Sequence, residues 1–377
     1  MIEQLRALPL KERIGQLFFI GIPGPEADDA TRELLQKINP GGVCLFARNI
    51  READQTRKLL DDIRDVSKVT PFLSIDQEGG LVDRLRRVMT PMSAANKMRN
   101  AADAERLAEI IAETLRILGF NMDFAPVVDV IDAERAKHTN GLFSREFGRS
   151  KEDVVAMAGA FLKTLQDNGV IGCVKHFPGL GAAKVDSHEE LPQVDVSENE
   201  LNEIDLYPYR ELLATGEAKA LMAAHTAFPR IELQETDQSG KLLPSSLSNN
   251  FINTLLRGTL GFDGLAITDD LEMGAIVKNY GIGDACKMAV GAGIDMLAIC
   301  ADPHAIREGH RAILDAVNSG ELSEGRIDES LVRIAGLKSI LAEPLEFNAD
   351  RFGELSDEVA AFNEELSRDK GITRTYA

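Results

Sequence analysis

The segment VIGCVKHF, residues 170–177, is an apolar run that carries a basic pair, Lys175 and His176, near its end. Its apolar residues are contiguous rather than alternating, which is typical of a strand buried on both faces. Seven more runs share this composition: IGQLFFIGI (14–22), GGVCLFA (41–47), TPFLSID (70–76), MDFAPVVD (122–129), KALMAAHTAF (219–228), GLAITDD (264–270) and DMLAIC (295–300). We therefore expect eight buried, parallel strands.

Helical patterns separate these runs. AADAERLAEIIAETLRILGF, residues 101–120, repeats Leu and Ile at steps of three and four, and SLSNNFINTLLRGTLG, residues 246–261, opens on cap residues and stops at Gly261. The alternation predicts an α/β protein, a single (β/α)8 TIM-type barrel with extra C-terminal helices. One domain should span residues 1–377, with the barrel in about 1–320 and a peripheral helical tail in 321–377. A doubly wound open sheet is the structural alternative.

Composition limits the classes of partner. The chain has 377 residues, is 44% hydrophobic and 27% charged, and carries a net charge of −19, which disfavours nucleic acid and anionic membranes. No apolar run approaches the roughly 20 residues of a membrane span, and the N-terminal residues do not resemble a signal peptide. The four cysteines lie apart among apolar neighbours, which favours buried thiols in a cytoplasmic protein.

Polar residues stand near the ends of several predicted strands. In a TIM-type barrel the C-terminal strand ends line the active site, so we expect these side chains to converge on one rim. They are Asp76, Lys175, His176, His225, Asp269 and Asp270.

Asp76 lies where a carboxylate could accept hydrogen bonds from two vicinal hydroxyls of a sugar. Arg84 and Arg145 could donate to the same ring, although surface ion pairs are the alternative for both arginines. Asp269 could be a general base, a metal ligand or a nucleophile. Because successive strand residues point to opposite faces, only one of Asp269 and Asp270 should face the reacting centre; the alternative is that both cap the next helix.

The loop KHFPGLGAAKVDSHEELP, residues 175–192, contains Asp186 and His188. An aspartate that accepts from one imidazole nitrogen sets the tautomer and leaves the other nitrogen for proton transfer. Two alternatives remain for this pair. His188 could be a solvated loop residue, or His176, His188, His225 and Asp186 could form a metal site.

Together, these motifs resemble family 3 glycoside hydrolases, in particular the single-domain bacterial β-N-acetylglucosaminidases of cell-wall recycling. The resemblance covers nearly the whole chain, and KHFPG with D-S-H is its most specific part. The matching segments are DQEGGLVDR (76–84), NMDFAPVVDV (121–130), SREFG (144–148), KHFPG with DSH and ELP (175–192), PSSLS (244–248) and LGFDGLAITDDLEMGAI (260–276).

The resemblance implies roles for individual residues. It implies that Asp269 is the nucleophile of a retaining mechanism, that His188 is the general acid/base and that Asp186 is its partner. It implies no metal and no organic cofactor. The residues that would bind the sugar are Asp76, Arg84, Arg145, Lys175 and His176.

The expected function is an exo-acting β-N-acetylglucosaminidase that removes terminal GlcNAc from muropeptide-type sugars in peptidoglycan recycling. The chain departs from the family pattern at Leu180, where the family usually has His, and at Leu81, where it usually has Arg. The alternatives are a phosphorylase, because a histidine acid/base removes a negative charge from the acceptor site, a β-glucosidase, and a non-catalytic sugar-binding barrel.

Overall fold

The computed structural model describes residues 1–137, 141–142, 144–185, 187 and 190–368. Within these residues, eight parallel strands close into a barrel, and each of the predicted apolar runs contains one of them. The strands are β1 (Phe18–Gly21), β2 (Gly42–Leu45), β3 (Phe72–Ile75), β4 (Met122–Asp123), β5 (Ile171–Phe177), β6 (Ala220–Ala223), β7 (Leu265–Asp270) and β8 (Met296–Ile299).

The strands follow one another around the barrel in chain order. β1 pairs with β2 on one side and with β8 on the other, where Phe18 lies opposite Leu297. This second pairing closes the sheet, so the prediction of a (β/α)8 barrel is confirmed and the open-sheet alternative is wrong. A short antiparallel hairpin, Gln77–Gly79 with Val82–Asp83, follows β3 at the C-terminal end of the barrel.

Helices alternate with the strands and cover the outside of the barrel. The α-helices of the described residues are Ile2–Arg6, Leu10–Gly15, Asp29–Ile38, Ala53–Val66, Ala101–Leu118, Lys151–Asp167, Glu198–Glu200, Tyr207–Ala214, Gly274–Val277, Ile282–Ala292, Pro303–Ser319, Glu324–Lys338 and Ala349–Arg368. Short 3₁₀ turns lie at Ala95–Lys97, Arg135–Lys137 and Ser245–Leu247, and π-type helices at Leu201–Asp205 and Asn250–Thr259.

Both helices predicted from periodicity are present. The first begins after Asn100, whose side chain accepts from the backbone N–H of Asp103, and ends at Gly119 in the left-handed region, with φ 99°. Only glycine adopts that conformation without strain, which explains why the helix stops there. The second covers Asn250–Thr259 with π-type hydrogen bonds and begins later than the predicted start.

The helix Glu324–Lys338 is tied to the barrel through the buried carboxylate of Asp295, which directly precedes β8. Asp295 Oδ1 accepts from Ser330 Oγ at 3.0 Å and from Arg333 Nη1 at 3.1 Å, while Oδ2 accepts from Arg257 Nη2 at 2.6 Å. The last helix, Ala349–Arg368, buries its apolar side chains and packs on Ala101–Leu118. The prediction of extra C-terminal helices is therefore confirmed.

All four cysteines are buried free thiols, as predicted from their apolar neighbours. Burial raises the pKa of the Cys44 and Cys173 thiols above the ordinary range. Among the helices that the structure describes, none combines the length and the apolar character needed to cross a lipid bilayer.

Lys338 is buried near the N-terminal ends of β1 and β3 without a carboxylate partner in the described residues. Its Nζ donates to Gln16 Oε1 at 2.9 Å and lies 5.4 Å from the centroid of the Phe72 ring. Burial lowers the pKa of Lys338 to about 7. The unfolded chain therefore holds this proton up to about pH 10.4 while the folded chain releases it near pH 7, so stability should rise with pH between these values.

We expect Lys338→Met to raise the free energy of unfolding by about 2–4 kcal/mol at pH 7, because it removes a buried, poorly compensated cation. The gain should shrink as the pH approaches 10, where the wild-type lysine is neutral in the folded state. Urea denaturation at pH 7 and pH 10 measures both values. Lys58→Met is the control, since that side chain is 73% exposed. A gain that does not depend on pH would contradict the assignment.

Candidate active site

A pocket of about 180 Å³ opens at the C-terminal ends of the barrel strands. Its lining includes six of the eight residues to which the sequence assigned a role: Asp76, Arg84, Arg145, Lys175, His176 and Asp269. The other two, Asp186 and His188, lie outside the described residues. Ser187, which stands between them, is buried and lines the same pocket. Five of the six strand-end residues expected on one rim line this pocket, the exception being His225, and the roles assigned to the site residues remain predictions.

A one-residue bulge in β5 brings two basic side chains into the pocket. Lys175 pairs with Met222 and Phe177 pairs with the next residue of β6, Ala223, so His176 is the extra residue. In a regular strand, Lys175 and His176 would point to opposite faces. A bulge re-aims side chains, and here both neighbours line the pocket.

β7 carries a similar irregularity at its end. Ile267 pairs with Met296 and Asp270 pairs with Ala298, so three residue steps in β7 match two in β8. Asp269 and Asp270 consequently both line the pocket. Strict alternation does not hold across the bulge, so both can border the pocket, and which of them faces the reacting centre stays a prediction.

The cations of the pocket are held by a buried carboxylate, Glu78. Its Oε1 lies 2.6 Å from Lys175 Nζ, and its two oxygens accept from Arg145 Nε at 2.8 Å and Nη2 at 2.9 Å. Burial alone would raise the pKa of Glu78, but Arg145 and Lys175 hold it well below its usual range. Glu78 therefore remains charged and fixes the directions of both cations.

Asp76 forms the pocket-facing side of this cluster. Lys175 Nζ donates to Asp76 Oδ1 at 2.8 Å, and Arg84 Nη2 lies 3.6 Å from Oδ2. Burial alone would lower the pKa of Lys175, but Asp76 and Glu78 reverse the shift and hold it above its usual value. Lys175 thus stays protonated, in contrast to Lys338, which has no carboxylate partner in the described residues.

The guanidinium of Arg84 has a hydrogen-bond donor that is not satisfied by the protein residues described. Its guanidinium carbon lies 5.7 Å from the centroid of Phe46, and its Nε is buried with no hydrogen-bond partner in the part of the chain that the structure describes. A buried donor without a partner costs free energy, so the guanidinium is not fully satisfied where it stands. The alternative of a plain surface ion pair is disfavoured, because Arg84 lies in the pocket wall and its contact with Asp76 is loose.

His176 is oriented by Asp129, which follows β4. The imidazole Nδ1 lies 2.7 Å from Asp129 Oδ2, and the backbone N–H of His176 donates to the same oxygen at 3.2 Å. A carboxylate only accepts, so Nδ1 carries the proton. Nε2 lies 3.3 Å from Arg145 Nη2. Asp129 thereby sets the direction of the ring and the place of the proton on Nδ1.

The two aspartates at the end of β7 differ in their electrostatic environment. Burial would raise the pKa of Asp269, but the imidazoles of His176 and His225 and the backbone N–H of Asp270 outweigh it, and the pKa lies below its usual range. That N–H donates to Asp269 Oδ1 at 2.8 Å. Burial raises the pKa of Asp270 to about 7. Near neutral pH, Asp269 is therefore the carboxylate of the pair that is fully ionised.

His225, the remaining strand-end residue, contacts the backbone of Asp270. Its Nε2 lies 3.1 Å from the carbonyl oxygen of Asp270 and its Nδ1 lies 2.7 Å from Ser246 Oγ. Both ring nitrogens are thus engaged, which leaves neither for a metal. The described residues contain no group of three or more His, Cys, Asp and Glu placed to hold a metal ion; the alternative metal site also needs Asp186 and His188, which lie outside them.

Neither Glu78 nor Asp129 has a role among the predictions from the sequence. Both lie in quoted segments, DQEGGLVDR and NMDFAPVVDV, and Asp129 is even the last residue of an apolar run. A carboxylate in an otherwise apolar or glycine-rich segment near a strand end was the available signal. Neither partner could be identified from sequence, because Glu78 binds residues more than 60 positions away and Asp129 one 47 positions away.

We expect Asp76→Ala to reduce kcat/KM on an aryl β-GlcNAc substrate by the equivalent of about 2–4 kcal/mol of transition-state stabilisation, since it removes a charged acceptor for two hydroxyls. Steady-state kinetics measures this loss. A variant with near-normal kcat/KM would place Asp76 outside the sugar subsite.

Glu78→Gln tests the buried charge cluster. Glutamine keeps the shape but leaves Arg145 and Lys175 without their shared negative charge, so we expect a destabilisation of about 3–5 kcal/mol and a raised KM. Glu113→Gln is a matched control, because Glu113 makes a similar pair of bonds with Arg351 at the surface, at 2.7 Å each. That control should cost about 1 kcal/mol or less. Equal losses in the two variants would contradict the cluster's role.

Comparison with known proteins gives consistent matches. A family model described as the N-terminal domain of glycosyl hydrolase family 3 matches residues 9–337. A protein of Tolumonas auensis named beta-hexosaminidase is 33% identical over 305 residues, which cover 80% of this chain and 86% of that protein. A Pseudomonas aeruginosa protein with the same name is 36% identical over 279 residues, which cover 72% of this chain and 78% of that protein.

Solved structures extend these similarities to the fold. A family 3 glycoside hydrolase from a Paenibacillus species, described as a beta-N-acetylglucosaminidase, superposes with a TM-score of 0.83 at 36% identity. The match covers 94% of this chain and 69% of the Paenibacillus chain. LpqI of M. tuberculosis superposes with a TM-score of 0.78 at 30% identity, over 89% of this chain and 96% of that one.

Proposed function

The chain belongs to glycosyl hydrolase family 3, and on this premise we propose that it is an exo-acting β-N-acetylglucosaminidase that removes terminal GlcNAc from its substrates. The observation that carries the proposal is the pocket in which Asp269, Asp76 and Lys175 meet. Its volume of about 180 Å³ is small compared with the roughly 300–1,000 Å³ of sites for drug-sized ligands. Such a pocket suits one sugar ring at a chain end rather than a continuous polysaccharide.

The proposed reaction is retaining. Asp269 attacks the anomeric carbon, the bond to the leaving oxygen breaks, and a covalent glycosyl-enzyme forms, which water then hydrolyses. The lowered pKa of Asp269 supports this role, because the nucleophile must be ionised. We assign proton transfer to His188, paired with Asp186, on the strength of the family resemblance. Ser187, the residue between them in the sequence, is buried and lines the pocket, which supports this assignment.

The sugar would be held by charged groups whose directions are already set. Asp76 offers two acceptor oxygens, while Arg84 and Arg145 offer donors and His176 offers a ring nitrogen. Glu78 holds Arg145 and the neighbouring Lys175, and Asp129 holds His176, through buried hydrogen bonds and ion pairs. Because these side chains are already oriented, little free energy is needed to reorganise them when the transition state forms.

The substrate, the location and the domain organisation are further parts of the proposal. We propose that the substrates are muropeptide-type sugars of peptidoglycan recycling, that the protein acts in the cytoplasm without a metal or organic cofactor, and that residues 1–377 form one domain with a peripheral tail. The family resemblance supports the substrate and the absence of a cofactor. The net charge of −19 supports a partner other than nucleic acid or an anionic membrane.

Release of nitrophenol from matched β-GlcNAc and β-glucoside substrates tests the proposal. We expect kcat/KM to favour the β-GlcNAc substrate by roughly 10²-fold or more. In phosphate buffer the product should be free GlcNAc. Preference for the glucoside would indicate a β-glucosidase, GlcNAc-1-phosphate would indicate a phosphorylase, and no turnover of either substrate would indicate a sugar-binding protein.

A further inference from the structure

A second concave site lies at the opposite end of the barrel from the catalytic pocket. This basal groove, of about 740 Å³, runs between the turn before β6 (residues 213–219), the turn before β7 (residues 259–265) and the helix Glu324–Lys338, with Ile340 just beyond that helix. It lies at the N-terminal ends of the strands and has no residue in common with the lining of the catalytic pocket. The proposed function does not use it.

The walls of the basal groove are apolar and open to water. Leu213, Leu260 and the ring of Phe262 form part of them, and Val332 and Ile340 stand at the lip. Val332 is 48% exposed and Ile340 is 54% exposed, and both are among the most exposed large apolar side chains that the structure describes. Apolar surface exposed to water costs free energy, and a concave patch of it often marks a binding site.

Cations line the same groove. Arg210, Lys219 and Arg333 contribute to it, against one acidic residue among its described lining, Asp263. Within the described residues, Lys219 Nζ has no hydrogen bond or ion pair. Arg333 donates one N–H to Asp295 Oδ1 at 3.1 Å. This local excess of positive charge stands out in a chain whose net charge is −19.

The positive charge continues beneath the wall. Arg257 lies 5.1 Å from the centroid of Phe262 and shares Asp295 with Arg333 and Arg326, so three guanidinium groups surround one buried carboxylate. The Nε of Arg257 is buried without a hydrogen-bond partner in the described part of the chain. Burial, together with repulsion from the other two arginines, lowers the pKa of Arg257. Glu329 also pairs loosely with Arg326 at 3.5 Å, so two carboxylates face three guanidinium groups and an added anion would be stabilised.

From the apolar walls and the excess of cations, we propose that the basal groove binds an organic carboxylate with a hydrocarbon body, of the size of a medium-chain acyl group. The hydrocarbon would cover the exposed side chains of Val332 and Ile340, and the carboxylate would accept from Lys219 and Arg333. The volume falls within the range of about 300–1,000 Å³ of small-molecule sites.

Isothermal titration calorimetry on the full chain, with octanoate as the probe, tests the proposal. We expect one binding site for octanoate. Octanamide should bind much more weakly, because it has the hydrocarbon chain without the negative charge. Inorganic phosphate should also bind much more weakly, because it has the charge without the hydrocarbon chain. Lys219→Met should weaken octanoate binding about tenfold or more, because it removes a charge-assisted bond and keeps the apolar stem. Val332→Asp should weaken it similarly through repulsion.

Lys58→Met is the matched control: it removes an exposed lysine far from the groove and should leave binding unchanged. All three variants should hydrolyse nitrophenyl β-GlcNAc at the wild-type rate, and saturating GlcNAc should not displace octanoate. Absence of octanoate binding, wild-type affinity in Lys219→Met, equal affinity for octanamide, or displacement by GlcNAc would each overturn the proposal. If an acidic amphipathic peptide binds but octanoate does not, the groove is a protein-docking site instead.

Discussion

Asp269→Asn should reduce kcat on nitrophenyl β-GlcNAc by roughly 10³- to 10⁵-fold while leaving the folded structure intact. A covalent intermediate cannot form on an amide, so the main route of catalysis is lost and not merely slowed. The side chain lies in the pocket wall at the end of β7, and the hydrogen bond that it makes within the described residues is the one that it accepts from the Asp270 N–H. An amide oxygen can accept that bond, which is why the fold should tolerate the change. Kinetics and the thermal midpoint should be measured on the same preparation.

Asp270→Asn is the matched control for this prediction. Since the pKa of Asp270 is raised to about 7, the carboxyl is largely neutral below that pH, and asparagine resembles the neutral form. The loss of activity should therefore be far smaller than in Asp269→Asn, and smallest on the acidic side of neutrality. Equal residual activity in the two variants would rule out Asp269 as the nucleophile.

His188→Ala should lose far more activity on a β-1,4-linked disaccharide than on nitrophenyl β-GlcNAc. A nitrophenolate leaves without a proton, whereas a sugar alkoxide needs one from a general acid. A general acid typically contributes 10²- to 10⁴-fold, so the difference between the two substrates should be on the order of 10²-fold or more. Parallel measurements of kcat/KM on both substrates give this ratio directly.

Two further measurements separate proton transfer from a structural role of His188. Asp186→Asn should show the same substrate dependence more weakly, because the imidazole remains but its tautomer is no longer set. Azide should accelerate deglycosylation in His188→Ala and give a β-glycosyl azide. If His188→Ala slows both substrates equally and azide has no effect, the Asp186–His188 loop is a binding or structural element.

The barrel could be predicted because its strands are buried on both faces, so their apolar runs stand out against the amphipathic helices between them. The ends of the runs were less predictable. The fourth run, residues 122–129, forms a regular strand only at Met122–Asp123, since Pro126 has no N–H for a ladder bond. The sixth run leaves the barrel after Ala223, where Thr226 instead bonds Ser245.

The positions of the site residues along the chain could be predicted from their place at strand ends, but their directions could not. The directions depend on bulges at His176 and between Ile267 and Asp270, which arise from pairing with neighbouring strands rather than from local sequence. The supporting bonds made by Glu78 and Asp129 likewise join residues that are distant in the chain. Tertiary pairing of this kind leaves no periodic signal.

The covalent role of Asp269 is the central claim, and a mechanism-based label tests it most directly. Incubation with a 5-fluoro-GlcNAc fluoride, which forms a glycosyl-enzyme that hydrolyses slowly, should be followed by digestion and mass spectrometry. We predict one adduct, on the peptide that contains GLAITDD (264–270), with fragmentation placing the sugar on Asp269. An adduct on another residue, or turnover of the reagent with no adduct at any time, would contradict the account.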